Sequence, residues 1–386
     1  MILKEQPDYE PRTWFSNQMQ VQTADTFVLE NEHLKVELDS NTGAIVDFFD
    51  KNANTQLADP SRGGGLFRLA TEAVKKRITE REGNDKMDEM SAWFIGRYRK
   101  MKVLDEDIEL KAIARGPLRT AWLAKIPCEE SSLEVLIWLD AGARELRYDV
   151  KCKWRHFGSD ETGVPNLHFT YPFPYTSNNY RQDVPFGTIG RKDCNMDVPA
   201  NSFTLAEKNE GGSSLLMLSR DKYGVRCLDN RVNLTLMRGA YHPDQTPETD
   251  THVIQFALTA APANSMNSEL WRISEQYLFP FSVLPGRFHD GELPASSSLM
   301  MIQSDAYISG VKMTQDDKAI LVRAAELDGK PGELKIELGF TAKSARITDI
   351  TETKSLPGRC ELQQDGRILI CQIAPNSVCN VIVEKG

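Results

Sequence analysis

The sequence predicts an all-β chain in which antiparallel sheets pack face to face, as a large sandwich followed by a smaller one. Apolar and polar residues alternate with a period of two through much of the chain, which is typical of strands with one buried face. Short turns containing Gly, Asn or Asp join these segments, and helical periodicity is rare. Strands that follow strands in this way are typical of β-sandwiches.

Two hairpins illustrate the pattern. Residues 26–38 and 44–49 have the composition of strands, and the turn at 41–43 contains a glycine that supplies the positive φ of a hairpin turn. Residues 133–139 and 146–154 form a second pair with clear alternation. Further strand patterns occur at 214–218, 225–228, 232–237, 253–258, 319–323, 333–338, 345–350, 367–373 and 378–383.

One helix is predicted at residues 265–277, where Met266, Leu270 and Tyr277 recur at helical spacings and Pro280 stops the pattern. The stretch 286–298 is rich in Gly, Pro and Ser, which indicates a linker.

This linker predicts the domain organisation. A large sandwich would occupy residues 27–285, and a smaller all-β domain would occupy residues 299–386.

Composition excludes several classes of partner. The 386 residues carry a formal net charge of -9, which disfavours nucleic acid as a partner because phosphates need a basic surface. No apolar run approaches the roughly 20 residues of a membrane span, and residues 1–7 lack the apolar core of a signal peptide. Seven cysteines without a Cys-x-x-Cys pair favour a reducing cytoplasm over a disulfide framework.

Ionisable side chains give few candidates for chemistry. Adjacent carboxylates such as Glu129 and Glu130 adjoin turns, and solvated surface charge is their expected role. The six histidines show no zinc-ligand spacing. His242 and Asp244 flank a proline that can fix a loop, so they are candidate binding residues, with turn capping as the alternative.

Aromatic residues mixed with polar ones are more informative, because sugars present both an apolar C–H face and hydroxyl groups. Residues 91–98 contain Trp93 and Arg97, and residues 171–183 contain Tyr180. Core packing is the alternative for these aromatic side chains. It is the expected role of Trp138 and Trp154, which lie inside alternating strand patterns.

Five segments resemble glycoside hydrolase family 38, the α-mannosidase type. Residues 29–51 are similar to the hairpin that opens the large β domain of that family, with its "EN…V…D…TG.I…DK" pattern. Residues 91–93 resemble "DAW", 184–191 resemble "FGV.ER", and 198–203 resemble "EVPAHRW/F". Residues 221–244 resemble "KYGY…L.LTLLRS…PD", and here order and spacing both fit. The chain departs from these patterns at Ser91, which replaces an acidic residue, and at Gly190, which replaces glutamate.

The resemblance runs from about residue 27 to the end and implies a mutarotase-like antiparallel super-sandwich followed by a smaller β-sandwich. Residues 1–26 would be a strand or linker remnant of a preceding β domain. The catalytic half of the family holds a zinc ion and an Asp nucleophile, and no segment here matches its His-x-His-x-Asp start or its His-His-Asp segment. No catalytic or metal-binding residue can therefore be assigned. Zinc is expected only in the missing half, and the chain alone is expected to be inactive.

The function implied is that of a C-terminal β region that binds a mannoside-type carbohydrate and completes the sugar pocket of a separate catalytic domain. The expected partners are that domain or a second copy of the chain, with no nucleic acid and no membrane. Trp93 and Arg191 are expected to share a concave surface, and Trp14 and Phe15 to edge a docking patch. The candidate sugar-binding residues are Trp93, Arg97, Tyr180, Arg191, His242 and Asp244.

Two alternatives remain open. A stand-alone mutarotase would use a His acid and a Glu base, but His156, His168 and His242 have no evident Glu partner in the sequence. A purely structural or interaction module would need no pocket and would expose an apolar patch.

Overall fold

The computed structural model describes residues 27–72, 90–93, 95, 98–246, 248–287, 290–292, 294, 296–304 and 306–386. Its described residues divide into two compact units. The first contains the described residues up to Gln182 together with Gly190–Ala263, and the second contains Asp183–Ile189 and Asn264–Gly386. The predicted domain bounds remain a prediction.

The described residues form 27 strands and one helix. The strands up to Pro262 are β1 Val28–Glu30, β2 Leu34–Leu38, β3 Ile45–Asp50, β4 Thr55–Gln56, β5 Leu66–Glu72, β6 Tyr98–Leu104, β7 Glu109–Arg115, β8 Arg119–Cys128, β9 Ser131–Asp140, β10 Glu145–Lys153, β11 Val164–Pro172, β12 Tyr180–Val184, β13 Gly187–Arg191, β14 Val198–Pro199, β15 Phe203–Ala206, β16 Ser213–Ser219, β17 Gly224–Cys227, β18 Arg231–Arg238 and β19 Thr251–Pro262. The later elements are α1 Asn267–Leu278, β20 Met300–Gln303, β21 Tyr307–Met313, β22 Ile320–Ala325, β23 Gly332–Leu338, β24 Ala342–Thr348, β25 Cys360–Gln363, β26 Ile368–Ile373 and β27 Val378–Lys385.

Three sheets build the large sandwich. Strands β1 to β4 form a four-stranded sheet in chain order. A nine-stranded sheet has the order β13-β12-β15-β16-β19-β10-β9-β8-β7, and a six-stranded sheet has the order β14-β17-β18-β11-β5-β6. The two larger sheets share one core, in which Tyr148 of β10 stacks on Phe256 of β19 at 4.8 Å and Phe169 of β11 lies 4.5 Å from Phe256, ring centroid to ring centroid.

The second unit contains a smaller sandwich of two four-stranded sheets, ordered β20-β23-β26-β25 and β21-β22-β27-β24. Its core is built from alternate residues of both sheets, such as Leu334 and Ile336 of β23 with Val381 and Val383 of β27. The structure therefore confirms the predicted fold class, an all-β chain with a large antiparallel sandwich followed by a smaller one.

The predicted helix is confirmed as α1, which ends two residues before Pro280. The Glu269 carboxylate accepts the Met266 N–H at 2.9 Å and so satisfies a free donor at the N-terminus of the helix. In the second unit, the Trp271 ring of α1 lies 4.7 Å from the Tyr307 ring.

The first predicted strand is in fact two strands, because Asn31 breaks it. Its side-chain oxygen accepts the N–H groups of His33 and Leu34, both at 2.8 Å. Its side-chain nitrogen donates to the carbonyls of Asp140 and Ala143 in the turn between β9 and β10. A side chain that satisfies its own turn competes with a continuous strand.

Candidate functional site

Ser91 joins two segments that the sequence analysis selected separately. It is 5% exposed, and its hydroxyl oxygen accepts the backbone N–H groups of Tyr241 at 3.0 Å and His242 at 2.9 Å. The neighbouring N–H of Ala92 donates to the His242 carbonyl at 3.0 Å. Residues 91–93 therefore lie against the loop that contains His242 and Asp244.

A buried ion pair ties this junction to the six-stranded sheet. Arg238, at the end of β18, contacts Glu72, at the end of β5, through two parallel hydrogen bonds of 3.0 and 2.8 Å. The Glu72 side chain is 0% exposed. The third donor of Arg238, its Nη1, reaches the Ser91 carbonyl at 2.6 Å. Two-point pairing of this kind fixes the orientation of both groups, so Ser91 is anchored to the ends of two central strands.

Trp93 follows this anchor and is 68% exposed. Its backbone N–H donates to the Met90 carbonyl at 3.0 Å, which closes a turn. His242 and Asp244 are also exposed, and Asp244 accepts the Thr246 N–H at 3.0 Å. The structure thus brings three of the six candidate residues onto neighbouring segments. Arg97 lies outside the described residues, as do Trp14 and Phe15.

The other two candidates lie elsewhere. Arg191 of β13 donates through Nη1 to the Gln182 side chain and to the Pro199 carbonyl, the latter at 3.1 Å. Tyr180 is 0% exposed and belongs to the core of the large sandwich, where burial raises the pKa of its phenol. In the part of the chain that the structure describes, no hydrogen bond or ring contact joins either residue to Trp93. The expected shared surface of Trp93 and Arg191 remains a prediction.

Sequence reasoning missed a buried polar network centred on His168 of β11. The Tyr98 hydroxyl lies 2.9 Å from His168 Nε2, and the Thr235 hydroxyl lies 3.2 Å from His168 Nδ1. Thr235 donates its proton to Asp197 at 2.7 Å, so its oxygen is left to accept from Nδ1–H. We therefore assign the neutral tautomer protonated at Nδ1, with Nε2 accepting from Tyr98.

Arg226 of β17 completes this network. It donates to Asp197 at 2.8 Å, and its guanidinium lies 4.0 Å from the centroid of the Tyr98 ring. Burial lowers the pKa of His168 to about 4, with Arg226 and Arg68 adding to the effect and Asp197 opposing it. Both ring nitrogens are occupied, so the network positions strands of the six-stranded sheet and leaves His168 no free atom for a ligand.

A second histidine lies beside a shallow cleft next to the His242 loop. His156 Nδ1 is 2.7 Å from the Ser131 hydroxyl, and its Nε2 is 3.5 Å from a carboxylate oxygen of Glu129. The cleft is partly open to solvent, and Trp154 and Thr246 contribute to its lining. A glutamate that the sequence pattern did not reveal thus lies near His156, because the β8–β9 turn that contains Glu129 adjoins the end of β10, although His156 Nε2 makes no hydrogen bond.

The segments that form this site are matched by a family model. Residues 29–246 match the model "Glycosyl hydrolases family 38 C-terminal domain". The chain belongs to glycosyl hydrolase family 38. Residues 306–378 match a second model of the same family, described as its C-terminal beta sandwich domain, so the resemblance inferred from the motifs is confirmed.

The chain is similar to part of two longer proteins. It is 22% identical over 291 residues to alpha-mannosidase 2C1 of Homo sapiens and 21% identical to the Mus musculus protein. These matches cover 71% of this chain and 27% of each relative, so the chain spans about a quarter of the curated relatives that it matches.

The fold also occurs in a solved alpha-mannosidase structure. An alpha-mannosidase from Enterococcus faecalis V583 superposes with a TM-score of 0.70 at 12% identity, over 93% of this chain and 42% of that protein. At this identity the likeness establishes the fold alone.

Within the described ranges, no group of three or more His, Cys, Asp and Glu side chains is arranged to hold a metal ion. The helix that the structure describes is not of the length and apolarity that would cross a membrane.

Proposed function

We propose that this chain binds carbohydrate and completes the sugar pocket of a family 38 α-mannosidase catalytic domain, with Trp93 as the principal contact. The observation that carries the proposal is an exposed tryptophan that directly follows a rigid anchor. Leaving an indole in water is unfavourable, whereas a flat ring stacks well on the C–H face of a sugar. The hydrogen bonds of Ser91 and Arg238 hold the segment in place before any ligand arrives, which lowers the entropy cost of binding.

His242 and Asp244 supply the polar groups that sugar hydroxyls need. Both side chains are exposed on the loop to which Ser91 is bonded. Arg97, Tyr180 and Arg191 stay candidate contacts, although burial of Tyr180 means that its ring reaches a sugar only after local rearrangement.

Saturation-transfer NMR of the purified chain with α-1,2-mannobiose tests the proposal. We expect weak, saturable binding that Trp93→Ala abolishes. The matched control is Phe281→Ala, because Phe281 is also an exposed aromatic residue and lies outside the site. The proposal fails if Trp93→Ala binds as the wild type does, or if both variants lose binding equally.

We further propose that the partner is a family 38 catalytic domain and that the chain acts in the cytoplasm. The matches to two C-terminal domain models of family 38 support the first point. Seven free thiols support the second. Light scattering of the chain, with and without residues 1–25, would reveal self-association as the alternative. A clean monomer in both forms that also fails to bind a supplied catalytic domain would contradict the docking proposal.

A stand-alone mutarotase is the second candidate, favoured by the His156–Glu129 pair. The adjoining cleft encloses almost no volume, whereas ligand pockets begin at roughly 300 Å³, so this candidate ranks lower. NMR measurement of sugar anomer exchange, with His156→Ala as the variant, would support it if the exchange rate fell to the uncatalysed value.

A further inference from the structure

The two cysteines of the β25–β26 hairpin are in an arrangement that the proposed function does not use. Cys360 and Cys371 lie directly opposite each other in the antiparallel pair, and their sulfur atoms are 3.1 Å apart. Cys371 and Cys379 belong to the core of the small sandwich, and the partly buried Cys360 packs against it. Cys360 and Cys371 are the pair with sulfurs in contact.

The ladder geometry allows a covalent bond between them. The N–H of Gln372 donates to the Arg359 carbonyl at 3.1 Å, so these neighbours form a hydrogen-bonded pair and Cys360–Cys371 is the adjacent non-hydrogen-bonded pair. Opposed Cα atoms at such positions are about 4.5 Å apart, at the short end of the range of about 4.4–6.8 Å that disulfides span. A bond at this limit is the kind that reduces readily.

The two thiols differ in exposure and in pKa, as the attacking and the resolving cysteine of a disulfide-forming pair do. Cys360 lies on β25, the edge strand of its sheet, and is partly exposed, whereas Cys371 is fully buried. The S–H of Cys371 donates to Cys360, which lowers the pKa of Cys360 and raises that of Cys371. Cys379 lies on β27, in the other sheet of the small sandwich, and burial raises its pKa to about 11.

We propose that Cys360 and Cys371 are a redox modification site, at which a peroxide drives formation of a reversible cross-strand disulfide. The Cys360 thiolate attacks one oxygen of hydrogen peroxide, which forms a sulfenic acid and releases hydroxide. The Cys371 sulfur then attacks the Cys360 sulfur and forms the S–S bond. The sulfenic hydroxyl leaves as water with the Cys371 proton. Two thiols lose two electrons and the peroxide gains them, and a small thiol such as glutathione restores the reduced pair.

Peptide mapping under non-reducing conditions tests the proposal. Trypsin cleaves after Arg359, Arg367 and Lys385, so Cys360 lies in peptide 360–367 and the two other cysteines lie in peptide 368–385. After brief treatment of the full chain with hydrogen peroxide, we expect these peptides to appear joined, with two hydrogens lost and full reversal by glutathione.

Variants identify the partner of Cys360. Cys379→Ser should keep the linked peptides, and Cys360→Ser should abolish them. If Cys371→Ser fails to fold, fragmentation of the linked wild-type peptides identifies the bonded cysteine instead. A link from Cys360 to Cys379, or oxidation of Cys360 to sulfinic acid without a link, would overturn the proposal.

Discussion

At the scale of single residues, the Ser91 hydroxyl holds two loops together by accepting two backbone N–H groups. We predict that Ser91→Ala lowers the free energy of unfolding by about 1–3 kcal/mol, because the N–H groups of Tyr241 and His242 lose their acceptor in a partly buried site. Urea unfolding would measure the change. Ser132→Ala is the matched control at an exposed position, where a change of no more than about 0.5 kcal/mol is expected. Equal changes in both variants would contradict the assigned role.

His168 predicts a pH dependence of stability. Its pKa is about 4 in the folded chain, against an ordinary value of 6.5. Between these values the unfolded chain binds a proton that the folded chain does not. This contribution is therefore complete above pH 6.5 and is lost as the pH falls towards 4, by about 3 kcal/mol in total.

Thermal melts of the His168→Gln variant between pH 4 and 7 would check this effect. The variant is expected to be less stable at every pH, with a flatter pH dependence than the wild type. His242→Gln is the control, since the exposed His242 should leave the wild-type slope unchanged. A His168→Gln slope equal to that of the wild type would show that other groups dominate.

At the scale of elements, the Asn31 side chain connects the β1–β2 turn to the β9–β10 turn with four hydrogen bonds of 2.7–2.8 Å. We predict that Asn31→Ala costs about 2–3 kcal/mol, because partly buried polar partners on both turns are left unsatisfied. Asn41→Ala, at an exposed turn position, should change little. Calorimetry of both variants would decide, and similar melting temperatures would contradict the connection.

Strands with one wet face were readable from the sequence, and so was the fully buried strand β16, but the fully buried strand β11 was not. Alternation marked β9 and β10, which have such a face. All nine residues of β11 are buried, and Pro165 and Pro172 lie within it, so neither alternation nor strand composition revealed this central strand. The network around His168 was not predicted either, because its partners Tyr98 and Thr235 come from β6 and β18, which are distant from β11 in sequence.

The candidate site shows a similar division. An aromatic residue within a polar segment marked Trp93 as a surface residue, and the structure leaves it exposed. The same reasoning selected Tyr180, which the fold buries completely. Which face of a strand meets the core depends on how the sheets pack, and that information is not local in sequence.

At the scale of the whole molecule, the chain carries a family 38 C-terminal fold and no segment that matches the catalytic half of that family. We predict no hydrolysis of 4-nitrophenyl α-mannoside by the purified chain, with or without added zinc. The reason is that no residue here corresponds to the nucleophile or ligands of the family, so the charge that develops at the anomeric carbon is not stabilised. Turnover that required zinc and stopped with a chelator would contradict this prediction.

The exposure of Trp93 also gives the site its own optical signature. Trp93 is 68% exposed, whereas Trp122, Trp138, Trp154 and Trp271 are each 8% exposed or less. Among the tryptophans that the structure describes, collisional quenchers in solution should therefore reach the indole of residue 93 first and remove the red edge of the emission. A ligand or partner that covers this ring would shield that fluorescence, so occupancy of the proposed pocket can be followed in the unlabelled protein.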